Sequence, residues 1–135
     1  MFILWELLGS HSLYVLDISK RKQVRELYSK RFGHTEWVTC VAHLKDGRVV
    51  SGGMDSKLCL WDSNGYGSAP LVRCNDLKSH SHSISCIKLI DDVVFVSGSY
   101  DKTLRIWAGK TERACLVGHK APVLDGTSVR STRLV

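Results

Sequence analysis

His34, Ser51 and Asp55 carry the residue types of a nucleophilic triad, and His80, Ser97 and Asp101 repeat the same types further along the chain. In such a triad an imidazole takes the serine proton while a carboxylate orients the ring, the arrangement that drives acyl transfer. Two features of the sequence oppose that chemistry. The set occurs twice with the same internal distances, His to Ser spanning 17 residues and Ser to Asp 4 in each. Neither serine sits in a Gly-x-Ser-x-Gly turn, which would lift its hydroxyl clear of a sheet. A tryptophan, Trp61 or Trp107, follows each Asp by 6 residues. Catalysis is therefore not expected, and the two sets of four ask for a structural explanation.

The elements that would hold these residues follow from the pattern between them. The segment Gly33-His34-Thr35-Glu36-Trp37 leads to Ser51, Asp55 and Trp61-Asp62, and Ser79-His80 leads to Ser97, Asp101 and Trp107 after a step of 46 residues. Coincidence of four chemically distinct residues at this period is the mark of a structural repeat. Short β-branched and apolar runs broken by turn residues predict successive antiparallel strands. They fall at 37–43, 48–52 and 57–62, with Lys45-Asp46-Gly47 as a hairpin turn, and again at 83–89, 93–98 and 103–107. Fourth strands are expected at 71–74 and 113–116, a loop insertion at 63–69, and strands of an earlier repeat at 13–17 and 24–28.

These residues resemble the WD40 family, whose repeats run from a Gly-His pair to a Trp-Asp pair over about 40 to 45 residues and build propeller blades. Departures are local: Ser79 stands in place of Gly, Ala108 in place of the Asp after Trp107, and Leu16 where a Trp belongs. The resemblance implies an all-β fold, a partial β-propeller of four-stranded antiparallel blades with two complete repeats and two partial ones. The expected divisions are outer strands of a first blade at 1–32, blades at 33–78 and 79–117, and the start of a further, incomplete blade at 118–135. In this family the repeated His, Ser, Asp and Trp form a hydrogen-bonded tetrad. Here that implies two tetrads, His34-Ser51-Asp55-Trp61 and His80-Ser97-Asp101-Trp107, each stapling turns to strands.

A propeller closes with about four to eight blades. The remaining blades are expected from a longer chain or from other copies. The family also implies a partner-binding face, the narrower one, lined by Thr35, Trp37 and Met54 in one blade and Ser81, Ser83 and Tyr100 in the next, with Lys120 and Pro122 opening a third set. An exposed Trp-Met-Tyr group supplies large apolar area at small entropic cost, as an interaction hot spot requires. Trp37 has a second reading, packed in the core between blades.

Composition narrows the rest. With 44% hydrophobic residues and 24% charged, the chain is globular in character. Its net charge of +6 is scattered, and the densest basic run, Lys20-Arg21-Lys22 with Arg25, Lys30 and Arg31 following, is interleaved with a single aromatic, Tyr28, too little of a stacking platform for bases, so nucleic acid is a secondary reading. Cys40, Cys59, Cys74, Cys86 and Cys115 are odd in number and lack Cys-x-x-Cys spacing, which points away from zinc and from a disulfide framework. Neither cofactor nor metal is expected. The apolar opening Met1 to Trp5 is too short for a membrane span, which leaves cytoplasm or nucleus as the expected location. The leading function is a scaffold or adaptor that binds other proteins or peptides. The alternative is a substrate-recognition subunit of a ubiquitin ligase, although the Trp-Asp-x-Arg ending used to dock the cullin-linked adaptor is missing from both repeats.

Overall fold

A computed structural model of the chain describes residues 2–5, 11–27, 33–62, 80–126, 128–129 and 133–134. Among them no helix occurs, and every regular element is an antiparallel strand. The first sheet contains β1 (Phe2–Trp5), β2 (Leu13–Asp17) and β3 (Lys22–Leu27), in that spatial order. The second contains β4 (Val38–His43), β5 (Arg48–Gly53) and β6 (Leu58–Asp62). The third has four strands, β7 (Ile84–Leu89), β8 (Val94–Ser99), β9 (Leu104–Ala108) and β10 (Thr111–Leu116). A last pair, β11 (Ser128–Val129) and β12 (Arg133–Leu134), forms a short hairpin.

Each sheet is a meander, with consecutive strands hydrogen-bonded to each other, as short connections favour. The turn at Lys45-Asp46-Gly47 closes because Gly47 adopts φ +91° and donates its N–H to the Leu44 carbonyl at 3.1 Å. Registers repeat between blades: Val49 faces Trp61 and Phe95 faces Trp107.

Strands of period two bury both faces only if something covers each face, and neighbouring sheets do this. One core joins Leu13, Val15 and Leu27 of the first sheet to Val38, Val49, Cys59 and Trp61 of the second. The next joins Cys40, Val50, Leu58 and Leu60 of the second sheet to Ile84, Ile87, Phe95 and Trp107 of the third. Alternate residues of β6 thus enter opposite cores, which is why Leu58-Cys59-Leu60-Trp61 is an unbroken apolar run. Phe95 and Trp107 stack with ring centroids 6.3 Å apart. Two glycines permit the close approach: a Cβ on Gly52 would meet Ile84 Cγ2 of the third sheet at 2.6 Å, and one on Gly98 would meet Val123 Cγ1, beyond that sheet, at 2.8 Å.

Several expectations need correcting. The first sheet has an additional strand, β1, formed by the apolar opening segment. Trp37 lies outside β4, and Lys57 lies in the turn before β6 and not on a strand. Lys102 and the preceding blade's Ser56 take left-handed conformations, with φ +71° and +69°. The fourth strand of the third sheet begins earlier than expected, at Thr111. The strand expected at 71–74, the insertion at 63–69 and Ser79 lie outside the described residues.

Candidate functional site

In the second sheet, His34 precedes β4, Ser51 lies in β5, Asp55 in the β5–β6 turn and Trp61 in β6. An ionised Asp55 only accepts, so the imidazole proton belongs on Nδ1. His34 Nδ1 donates to Asp55 at 3.0 and 3.1 Å, Ser51 Oγ donates to His34 Nε2 at 2.8 Å, and Trp61 Nε1 donates to Ser51 Oγ at 2.9 Å. Asp55 also accepts the backbone N–H groups of Thr35 (2.9 Å) and Lys57 (3.1 Å), fixing the loop into β4 and the turn into β6. The side chain of Gly53 is missing for a reason: a Cβ there would sit 2.7 Å from His34 Nδ1 and 2.8 Å from Asp55 Oδ1.

The third sheet repeats this arrangement. His80 Nδ1 lies 2.9 Å from Asp101 Oδ2, His80 Nε2 2.7 Å from Ser97 Oγ, and Trp107 Nε1 donates to Ser97 Oγ at 2.9 Å. Asp101 accepts from Ser81 N–H (3.1 Å), Thr103 N–H (2.9 Å) and the Thr103 hydroxyl (2.6 Å). Burial pushes the Asp101 carboxyl up, but the Thr103 bonds, the Ser81 N–H and His80 outweigh it and hold the group at about 2. Asp55 is likewise lowered: burial opposes the shift, while His34 and the Thr35 and Lys57 amides prevail. Burial depresses His80, against the pull of Asp101.

The Ser-His-Asp order matches that of an acyl-transfer site, but its accessibility does not. Ser51 and Ser97 are 0% exposed, and each Oγ is engaged by an indole N–H on one side and an imidazole on the other. A nucleophile needs a free path to its substrate. What this geometry does provide is complete pairing of buried polar groups, which welds turn to strand. Cys40 and Cys86 border a cleft of about 280 Å³ between β4 and β7. Burial raises both thiols, Cys40 to about 12, so they stay protonated and unreactive near neutral pH. No cluster of metal-ligating side chains occurs among the described residues.

The rim presents a different chemistry. Trp37, Met54 and Tyr100 are exposed by 51%, 48% and 48%, so Trp37 does not pack between blades. The rim is tied by the backbone: Met54 N–H donates to Trp37 O at 2.9 Å and Tyr100 N–H to Ser83 O at 3.0 Å. Ser83 Oγ then reaches across to Met54 O at 3.3 Å, linking the two blades at this edge. Thr35 and Ser81 are exposed beside the tetrads and give their backbone N–H groups to them. Lys120 and Pro122 are exposed as well.

A second pair of hydroxyls escaped the sequence reading. Thr39 Oγ1 donates to Gly52 O at 3.1 Å and to the Ile84 carbonyl of the next blade. Ser85 Oγ donates to Gly98 O at 3.1 Å and to the Val123 carbonyl. These residues stand five positions past His34 and His80, so the repeat itself carried the signal.

Comparison with known proteins agrees with this geometry. The family described as "WD domain, G-beta repeat" matches residues 22–62 and 71–108. The chain is similar to the small ribosomal subunit protein RACK1 of Drosophila melanogaster, 38% identical over 65% of this chain and 30% of that protein. It is 27% identical to the ribosome biogenesis protein YTM1 of Eremothecium gossypii, over 87% of this chain and 28% of the relative. With the ribosome biogenesis protein WDR12 homolog of Brugia malayi it shares 35% identity over 55% of this chain and 18% of the relative. The chain thus spans less than a third of the length of these relatives.

Proposed function

Because the chain belongs to the WD-repeat family, we propose that it is a protein-interaction module whose rim of Thr35, Trp37, Met54, Ser81, Ser83 and Tyr100 holds a partner protein or peptide. The carrying observation is the exposure of Trp37, Met54 and Tyr100 on a rim whose backbone is hydrogen-bonded in place. Large side chains on a rigid frame lose little entropy on binding, which favours them as anchors. The tetrads serve this role indirectly, as positioning groups. The RACK1, YTM1 and WDR12 relatives carry ribosomal names, and that recurrence supports a multi-protein assembly in the cytoplasm or nucleus as the setting.

The test is capture of a partner by the double variant Trp37→Ala/Tyr100→Ala. Loss of capture with an unchanged far-UV spectrum is expected; undiminished capture would remove the rim from consideration. Two other readings have less support. No observation favours a ubiquitin-ligase role, and nucleic-acid binding by the basic Lys20 to Arg31 segment predicts affinity that drops steeply with salt. A non-catalytic role for Ser51 predicts no labelling by a fluorophosphonate probe, consistent with its burial.

A further inference from the structure

The rim and the opposite ends of the strands handle their charges differently. At the opposite ends turn cations meet turn carboxylates: Lys45 Nζ lies 2.7 Å from Asp92 of the next blade, Arg48 2.6 Å from Asp46, and Lys20 3.8 Å from Asp17. The rim turns carry carboxylates as well, Asp55 and Asp101, but the tetrads draw them inward, and their side chains are 3% and 6% exposed. The cations of the same turns stay outside. Lys57 follows Asp55 in the β5–β6 turn, Lys102 follows Asp101 in the β8–β9 turn, and Lys120 stands one residue past His119, as Thr35 and Ser81 stand past His34 and His80. Among the described residues none of these three lysines has an ion-pair partner, and Glu36 is the exposed carboxylate of the rim. The lysines alternate with the apolar anchors. Met54 shares its turn with Lys57 and Tyr100 shares its turn with Lys102, and the bonds from Met54 N–H to Trp37 O, Ser83 Oγ to Met54 O and Tyr100 N–H to Ser83 O hold the anchors in one row.

We propose that the occupant of the rim is an acidic peptide segment, one in which aspartate or glutamate flanks a large apolar or aromatic side chain. The inference rests on the rim being the partner-binding surface and adds the sign and pattern of the partner's charge. The apolar side chain of the segment packs on Trp37, Met54 and Tyr100, and its carboxylates meet the ammonium groups of Lys57, Lys102 and Lys120, taking the place of the carboxylates that the tetrads withdraw. Exposed ion pairs contribute little affinity each, so the anchors supply most of the binding and the lysines select by sign, speeding the encounter with acidic segments and turning basic ones away. A nucleic-acid strand suits the rim less well. Successive phosphates call for a continuous basic track, and here lysines alternate with apolar side chains and Glu36. No arginine stands in the rim segments 35–37, 54–57, 81–83, 100–103 and 119–122, and lysine, a point charge, fits a single carboxylate without the two-pronged grip that a guanidinium gives a phosphate group.

Selection of a library of random linear peptides on the immobilised 135-residue chain tests the proposal. The bound pool is expected to be enriched in Asp and Glu beside aromatic or large aliphatic residues. Peptides synthesised from that pool should bind Lys57→Glu/Lys102→Glu about tenfold more weakly, with an unchanged circular dichroism spectrum, and should regain their affinity on Lys57→Arg/Lys102→Arg. A neutral or basic pool, or an acidic pool that binds the charge-reversed variant equally well, overturns the inference. If Trp37→Ala/Tyr100→Ala then abolishes capture of that pool, the rim itself still stands as the binding surface. A pool that Trp37→Ala/Tyr100→Ala captures undiminished overturns the rim and the acidic partner together. Displacement of the selected peptides by oligothymidylate, with an affinity that falls steeply with salt, would assign the rim to nucleic acid and overturns the peptide.

Discussion

The second and third sheets are the same object in different surroundings. Leu58 and Leu60 of β6 are 0% and 1% exposed, while Leu104 and Ile106 at the equivalent positions of β9 are half-buried. Strand, register and residue type are shared; the neighbour differs. The second sheet lies between two others, whereas among the described residues one sheet, the second, packs on the third. Burial in this fold is thus a property of the stack, and a single blade cannot supply it. The tetrads show the opposite behaviour: Ser51 and Ser97 are both 0% exposed, because each network closes within its own sheet.

The largest test of that contrast is a pair of truncations. Leu60→Ala should destabilise the fold by about 2–5 kcal/mol, as in other fully buried sites, and Ile106→Ala, half-buried, by about 1 kcal/mol. Denaturant titration reads both. Equal costs would break the contrast, and a several-fold gap between them would sharpen it. Ser51→Ala and Ser97→Ala should differ little from each other. Each leaves an indole N–H and an imidazole nitrogen unpaired in a buried place, for about 1–3 kcal/mol. A clear gap between the two would show that the tetrads also feel what packs on their sheet.

The smallest effect is carried by pH. His80 is depressed in the fold, so the unfolded chain binds its proton more readily, and stability should decline as pH falls below the ordinary histidine value of 6.5. Asp55 and Asp101 are depressed as well; their contribution is present above the ordinary value of 3.8 and is lost as pH falls through it, for Asp101 toward about 2. Two successive losses on acidification are expected in a series of melting curves. In Asp101→Asn the second should shrink, and an unaltered acid limb would discount the third sheet's share.

The parts of the fold that were legible are those marked by chemically distinct residues at a fixed period. His, Ser, Asp and Trp recur with the 46-residue step, and the strands between them fall within a residue or two of their expected ends. β1 was illegible because Phe2–Trp5 precedes every landmark, and a short apolar run alone does not reveal its partner. The position of Trp37 was undecidable from sequence. A tryptophan beside a strand suits a core and a rim equally well, and the deciding fact is its 51% exposure in the segment just before β4. Thr39 and Ser85 went unnoticed because a hydroxyl on a strand is commonplace; only the carbonyl of the next blade gives it meaning.

The tetrads have a consequence for how such a chain can diverge. Asp55 and Asp101 clamp the loop ends through the backbone N–H groups of Thr35, Lys57, Ser81 and Thr103, and only at Thr103, whose hydroxyl also donates to Asp101, does the clamp engage a loop side chain. Mutational drift at 35–37, 54, 81–83 and 100 is then uncoupled from foldability. A duplicated copy can exchange one binding preference for another while inheriting its architecture intact.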